Sequence, residues 1–421
     1  MLMKKILLAA AILCSTFNTN AQTWDTVMNG IKRSTYDGLY PTCTEILHLG
    51  GNTILGATTG GIYKSTDYGD NWTQKTTNLQ GYNGVRKIKS GRVIGLGLPV
   101  MAGMFSVAKS DDNGDTWSNA STGLPGQIIV EDMVQTPNGN LFIACRQPTA
   151  VYVSTDNGDT WTTKSTGIPT GGLTSLWAIE AVDNDTLVVG EYKGIYRSTD
   201  AGNSWSKVKT TNNVSAMKRH PNGTIYCGFA SGVLQKSTDN GLTWAPTAMS
   251  SSSVMIYDIE IDKSDNIYLS IFNAGISKFN SAETPVAAIA TAASGMTYPR
   301  VLDFMIDESG STPIYMAATM NSATISGYFY RSGYTSTSIK KSAEQKSFAI
   351  YPNPAQNTLN IAGVATDKKS TISIYGIDGK VLLNRAFESN QIDISHLPAG
   401  NFFANITNAN GESAVQQFEK K

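Results

Sequence analysis

The chain has 421 residues, 33 Lys plus Arg against 33 Asp plus Glu, and a formal net charge of zero. That length allows one large and one small domain around a substantial core, and the charge balance argues against a nucleic-acid or anionic-membrane partner. Thirty-nine glycines, short alternating apolar runs and no long stretch of helical period predict an all-β chain.

Lys4 and Lys5 precede an apolar run from Ile6 to Leu13, and a polar stretch ends at Asn20-Ala21 before Gln22, the layout of a secretory signal peptide over residues 1–21. The run is too short to span a bilayer, so no transmembrane segment is expected in the mature chain. Cys14 does not read as a lipid attachment site, because Leu13 stands where a small residue is required. Signal removal leaves Cys43, Cys145 and Cys227, an odd number in separate repeats, which predicts three buried free thiols rather than a disulfide.

A Ser-x-Asp-x-Gly-x-x-Trp segment then recurs five times, at Ser65 to Trp72, Ser110 to Trp117, Ser154 to Trp161, Ser198 to Trp205 and Ser237 to Trp244. Successive copies start 45, 44, 44 and 39 residues apart, the period of a four-stranded propeller blade. Each copy reads as a hairpin turn. Its Asp (Asp67, Asp112, Asp156, Asp200, Asp239) accepts hydrogen bonds from the turn's own amides, its Gly supplies a positive φ, and its Trp (Trp72, Trp117, Trp161, Trp205, Trp244) plugs the space beneath. Blades are expected from near Thr42, Val85, Ile128, Thr174 and Val214, and two more without the turn from Val254 and Tyr298. The last runs out before an outer strand. Gln22 to Ile31, QTWDTVMNGI, looks like the segment that follows each repeated turn, so it is expected to supply that strand and close the ring.

The five turns are similar to Asp boxes, and residues 22–341 resemble the Asp-box, or BNR, propellers of sialidases, sortilin-type receptors, xyloglucan-cleaving glycosidases and photosystem assembly factors. The blade count predicts a seven-bladed β-propeller, with six blades and a linker as the alternative, and the resemblance implies that the boxes lie on the periphery, away from the ligand face, so that their Asp residues are structural. The sialidase pattern itself is not matched. Arg33 in IKRSTYDG is the only arginine before Ser65 and has no Phe-Arg-Ile-Pro setting. Xyloglucan-type enzymes form their cleft between two propellers, and one is encoded here.

From about Ser342 the sequence changes character. Tyr351-Pro352-Asn353-Pro354, the Gly379-Lys380 turn, the Leu397 to Gly400 corner and a basic end resemble the C-terminal sorting domain of the type IX secretion system of Bacteroidetes. Phe402-Phe403 departs from that pattern, which usually has a single aromatic. The resemblance implies a small immunoglobulin-like β-sandwich over 342–421. It further implies recognition by the type IX translocon and sorting machinery, and a route through the periplasm to the outer cell surface or beyond. An accessory sandwich that binds a surface or a sugar is the alternative.

Chemistry is expected on the propeller's funnel face, at the entrances to the inner strands. Asp132, Asp258 and Asp303 fall in one column there, with Glu45, Glu131 and Glu260 close by, and Asp258 and Asp303 belong to neighbouring blades. Two carboxylates across a cleft are what glycoside hydrolysis needs; inner-strand ends also carry polar groups that merely hydrogen-bond backbone. Trp177, Tyr257 and Tyr298 suit the apolar faces of sugars or packing between blades. Arg86, Arg146, Arg219 and Arg300 could clamp a carboxylate-bearing ligand. His48, His220 and His396 lie in separate segments, and the calcium-like SDDNGD lacks a closing glutamate, so no metal and no cofactor are expected. The reading is an exported, non-catalytic module that binds a glycan or a protein; the alternative is a glycoside hydrolase or lyase using Asp258, Asp303 and Asp132.

Overall fold

The computed structural model describes residues 23–421 apart from 34–37, 77–80, 100–103, 171–173, 212, 250–253, 292–293, 311, 322, 325, 334–347, 364–365, 367–368, 377–379 and 408–412. The signal peptide expected over 1–21, Cys14, Gln22, the boundary expected at 341/342 and Gly379 lie outside the described residues. The chain divides into two compact units, Met1–Thr335 and Ser336–Lys421. Among the described residues the regular elements are all strands.

The first unit holds seven four-stranded antiparallel sheets. Their inner strands are Cys43–Gly50, Tyr82–Lys87, Ile129–Gln135, Leu176–Ala181, Val214–Arg219, Ile256–Ile261 and Val301–Asp307, here blades 1 to 7, and each begins within three residues of its expected start. The second strands, such as Leu187–Glu191 (LVVGE) and Ile267–Ile271 (IYLSI), are buried throughout because both faces meet neighbouring blades. Each junction between consecutive blades has its own apolar cluster. Ile62, Tyr82 and Val93 share one between blades 1 and 2, and Cys43, Ile54, Met316 and Phe329 share another between blades 1 and 7. The cores therefore lie between wedges and run around a closed ring.

Blade 7 is completed from the other end of the chain. Its sheet runs Asp25–Thr26, Gly327–Ser332, Ile314–Met320, Val301–Asp307, with Asp25 opposite Arg331 and Thr26 opposite Tyr330. The Val27 amide donates to Phe329 O at 2.9 Å, and Trp24 Nε1 donates to Ile289 O of blade 6 at 2.8 Å.

The five repeated turns share one hydrogen-bond scheme. In the second, Ser110 Oγ donates to Asp112 Oδ1 at 2.7 Å, the Gly114 amide to Ser110 Oγ at 2.8 Å, and the Thr116 amide and hydroxyl to Asp112 at 2.8 and 2.6 Å. The tryptophans reach further than a local plug. Trp72, Trp161 and Trp205 Nε1 donate to Val27, Ala120 and Lys164 O in the preceding blade, at 2.9, 2.9 and 2.8 Å, whereas Trp117 and Trp244 bond within their own turns. The amides of the first three donate to Asn29, Thr122 and Thr166 O, each of which precedes a glycine, Gly30, Gly123 or Gly167, at φ near +90°. A Cβ on Gly123 would sit 2.1 Å from Trp161 O. Gly123→Ala is therefore expected to lower stability by about 2–4 kcal/mol through combined clash and backbone strain, read as a shift in the denaturant midpoint. A change below about 0.5 kcal/mol would show that the junction yields easily.

Cys43, Cys145 and Cys227 are buried free thiols. The second unit pairs a three-stranded sheet (Ala349–Tyr351, Thr358–Ala362, Gln391–Asp393) with a four-stranded one (Val381–Ala386, Thr371–Gly376, Gly400–Thr407, Ser413–Lys420). Leu359, Ile361 and Ile392 of the first meet Ile372, Ile374, Phe402 and Phe418 of the second in one core, which makes the unit a β-sandwich. Tyr351-Pro352 and Asn353-Pro354 are cis, Asn353 Oδ1 accepts the Glu419 amide at 2.9 Å, and Phe402 points inward while Phe403 points out.

Candidate functional site

The seven inner strands ring a channel of about 590 Å³. Every one carries a β-bulge at its entrance, with register breaks at 43/45, 82/84, 130/132, 176/178, 214/216, 256/258 and 301/303. A bulge re-aims side chains, so in six blades two consecutive residues line the channel: Thr44-Glu45, Glu131-Asp132, Trp177-Ala178, Ser215-Ala216, Tyr257-Asp258 and Leu302-Asp303. Glu180, Lys218 and Glu260 line it from the following turn of the strand pattern.

The column of acids is laced sideways into the ring. Asp132, Asp258 and Asp303 each accept the backbone amide of the next blade's inner strand through Oδ2, from Ile179 at 3.0 Å, Phe304 at 3.2 Å and Ile46 at 2.8 Å. Glu45 accepts Val85 N at 3.3 Å, and Glu180 accepts Arg219 N at 3.1 Å. One row higher, Thr44 Oγ1 donates to Tyr82 O at 2.7 Å and Asn83 Nδ2 to Val130 O at 2.9 Å. Each inner strand is the edge of its sheet, so amides on its open side are left for side chains of the preceding blade to engage.

Charge in the wall is mostly paired. Arg86 bridges Glu45 and Asp132, the latter at 3.1 Å, Arg146 meets Glu131 at 2.5 Å, and Lys218 meets Glu260 at 2.6 Å. Burial pushes Glu131 up to about 7 against the pull of Arg146, and pushes Glu180 up to about 7 against Lys218. Burial also raises Asp303 to about 6, and raises Asp258 with Asp303 and Glu260 adding repulsion. Burial alone would lower Lys218, yet Glu260, Asp258 and Glu180 around it leave it raised. These groups keep a narrow opening onto the channel while protein surrounds them on the other sides.

The aromatic candidates fall in two places. Trp177 lies in the channel wall of blade 4 with the Arg146 guanidinium 5.1 Å from its ring centre. Tyr257, Tyr298 and Arg300 gather at the rim of blades 6 and 7. Arg300 Nε donates to Tyr257 Oη at 2.9 Å, and its guanidinium lies 5.3 and 5.0 Å from the ring centres of Tyr257 and Phe272. Tyr298 stacks on Tyr328 at 4.6 Å, Tyr40 meets Tyr328 edge-on at 5.8 Å, and Arg33 covers Tyr40 at 4.3 Å. Sequence reasoning missed Tyr40, Phe272 and Tyr328 because they enter from connections and a third strand, outside the inner-strand column. Of the arginines read as ligand clamps, Arg86 has its fork in the wall carboxylates Glu45 and Asp132, and Arg146 meets Glu131 through Nε while its guanidinium covers Trp177.

His48 lies 3.8 Å from Asp307 and His220 3.4 Å from Asp265, in separate blades. Among the described residues no cluster of three or more His, Cys, Asp or Glu is arranged to hold a metal ion, and no helix is long and apolar enough to cross a membrane.

Residues 349–420 match the secretion system C-terminal sorting domain family. A search of curated protein sequences finds no match. Among solved structures, the chain is similar to PorZ, a bacterial surface component of the type IX secretion system of Porphyromonas gingivalis, at 13% identity and TM-score 0.51 over 93% of this chain and 61% of that one. It is similar to the extracellular domain of the two-component system BT4673 from B. thetaiotaomicron, at 12% identity and TM-score 0.55 over 96% and 60%. It is also similar to the GH74 xyloglucanase from Xanthomonas campestris, at 14% identity and TM-score 0.55 over 94% and 74%. The chain thus spans 61% and 60% of the first two proteins' length, and the likenesses show the β-propeller fold alone. The C-terminal unit is a type IX sorting domain, which places the chain on the route to the cell surface or the extracellular space.

Proposed function

We propose that this exported propeller is a non-catalytic binding or scaffold module for a glycan or a protein, with its funnel face as the ligand face and its repeated turns as structural Asp boxes. The reading rests on one observation: Asp132, Asp258 and Asp303 each hold the neighbouring blade's amide. Glycoside hydrolysis asks for two carboxyls presented to an open cleft about 5–10 Å apart, whereas these acids are spent on joining wedges. Asp132 is the cleanest case, because it also accepts Met133 N at 2.8 Å and meets Arg86 at 3.1 Å. Asp132→Ala is expected to cost about 2–4 kcal/mol of stability, from the unsatisfied Ile179 and Met133 amides and the loss of one of the two carboxylates that hold Arg86. A melting curve superimposable on the parent's would remove the structural role.

Hydrolysis or lyase chemistry is the second reading, and Glu131 and Glu180 favour it, since carboxyls raised to about 7 suit a general acid. The two readings separate in a glycan-array screen run beside a hydrolysis screen on plant and host polysaccharides, with Asp258→Ala as control. Binding without product is the expected result. Turnover abolished by Asp258→Ala would overturn it.

A further inference from the structure

The zero net charge of the chain conceals an uneven distribution. Among the described residues of the propeller, carboxylates stand in the repeated turns and the other turns at that end, in the channel wall, on the closing strand at Asp25, and at Glu191, which is fully buried. None stands on a described connection that enters an inner strand or joins a second strand to a third; Asp37 lies outside the described residues. Those connections instead carry Lys32, Arg33, Lys193 and Arg300, besides Lys75 and Lys164, which follow directly on outer strands and reach Asp115 and Asn203 of the repeated turns. The funnel face is therefore cationic at its rim, while the opposite end is rich in acids.

At blades 6, 7 and 1 the rim charge coincides with the partly exposed rings. Arg300 is held by Tyr257 Oη at 2.9 Å and lies against the Tyr257 and Phe272 rings, whose centres are 6.2 Å apart. No described carboxylate lies within ion-pair distance of it, in contrast to Arg86, Arg92, Arg146 and Arg331. A guanidinium fixed by neutral partners keeps its planar fork for an incoming carboxylate. Two residues away along the chain, Tyr298 and its stacking partner Tyr328 offer the flat apolar surface that the C–H face of a pyranose covers.

We propose that this rim binds an acidic polysaccharide, with Arg300 taking the carboxylate of a uronic acid unit and Tyr298 with Tyr328 supporting the sugar ring. The proposal rests on the binding-module reading and names its ligand class. A neutral glycan would leave the arginine fork unused, and the acids of the channel lie below the rim rather than on it.

The test titrates the folded chain with polygalacturonate, with dextran as the uncharged polysaccharide and with poly-L-glutamate as the acidic peptide. Polygalacturonate is expected to bind, more weakly as salt rises. Arg300→Gln and Tyr298→Ala should each weaken it about tenfold or more, with thermal melts that confirm folding, and Arg300→Lys, which keeps charge without the fork, should fall between. Dextran binding as tightly as polygalacturonate, or no response to Arg300→Gln, would overturn the acidic-glycan assignment while leaving a binding module in place. Poly-L-glutamate binding as tightly would overturn it in favour of an acidic protein partner. Shortened polygalacturonate products that vanish in Asp258→Ala would instead overturn the non-catalytic reading beneath the proposal.

Discussion

A chain that starts at Lys32, lacking Thr23–Ile31, is expected to lose its cooperative thermal transition or to melt far below the parent. The segment carries Trp24, Val27 and Ile31, which are 4, 6 and 6% exposed. Removing the Trp side chain costs about 3–5 kcal/mol, and burial of the Val and Ile contributes about 1.5–3 kcal/mol each. Their sum, near 8 kcal/mol, rivals the whole stability of an ordinary domain, about 5–15 kcal/mol. Trp72 Nε1 and the Trp72 amide also lose their acceptors, Val27 O and Asn29 O. The strand Gly327–Ser332 becomes an open edge, which invites aggregation. Adding a Thr23–Ile31 peptide in trans should restore part of the transition, and a truncated chain that melts within a few degrees of the parent would show that the ring does not need this strand. Trp24→Ala gives a graded version, with the loss confined to its cluster beside Phe304, Tyr315 and Tyr330.

The closing strand was legible in the sequence because the repeat carries more than the turn. Asn29-Gly30-Ile31 occupies the place that Thr122-Gly123-Leu124 and Thr166-Gly167-Ile168 occupy after a box tryptophan, and the structure gives all three the same amide contact. The fold was likewise legible, since period and turn chemistry are local and repeat five times before they fade in blades 6 and 7. What could not be read was anything that runs between wedges. Asp303 and its amide partner Ile46 are 257 positions apart, and no spacing rule connects them.

The channel shows the same division more finely. Alignment of the blades on their first turns placed Asp132, Asp258 and Asp303 near the start of the inner strands, where the structure has them. It did not expose the bulge beside each, which puts two neighbouring side chains on one face. A signal was present in the broken alternation of Thr44-Glu45, Glu131-Asp132 and Tyr257-Asp258, where a polar or amphipathic pair sits inside a strand that should alternate. Glu180 was passed over because period 2 from Ala178 made it one more inner-face residue, and only burial beside Lys218 distinguishes it. The rim aromatics were half legible: Tyr257 and Tyr298 lie near the column, whereas Tyr40 and Tyr328 join them through the contact between the last blade and the first.

Stability is expected to peak between about pH 4 and 5 and to fall on both sides. On the acid side, the Thr116, Ser204 and Thr243 hydroxyls and amides hold Asp112, Asp200 and Asp239 below the usual carboxylate range, Asp239 at about 2. Groups lowered on folding stabilise above their unfolded pKa, about 4, and that contribution disappears as pH drops through the folded value. On the alkaline side Glu131, Glu180 and Asp303 act with the opposite sign. Each is raised by burial, to about 7, about 7 and about 6, so between pH 4 and 7 the native state holds protons that the unfolded chain has released. Stability then declines as pH rises through that window, by up to roughly 3 kcal/mol for a carboxyl moved from 4.5 to about 7. Glu180 isolates the effect. Glu180→Gln keeps an oxygen for the Arg219 amide and cannot ionise, so it should leave stability nearly unchanged near pH 4 and raise it by about 3 kcal/mol at pH 8. Denaturant midpoints of parent and variant across that range decide the matter: parallel curves, or a parent more stable at pH 8 than at pH 5, would mean that the channel carboxyls are ionised in the folded ring and balanced by Lys218 and Arg86.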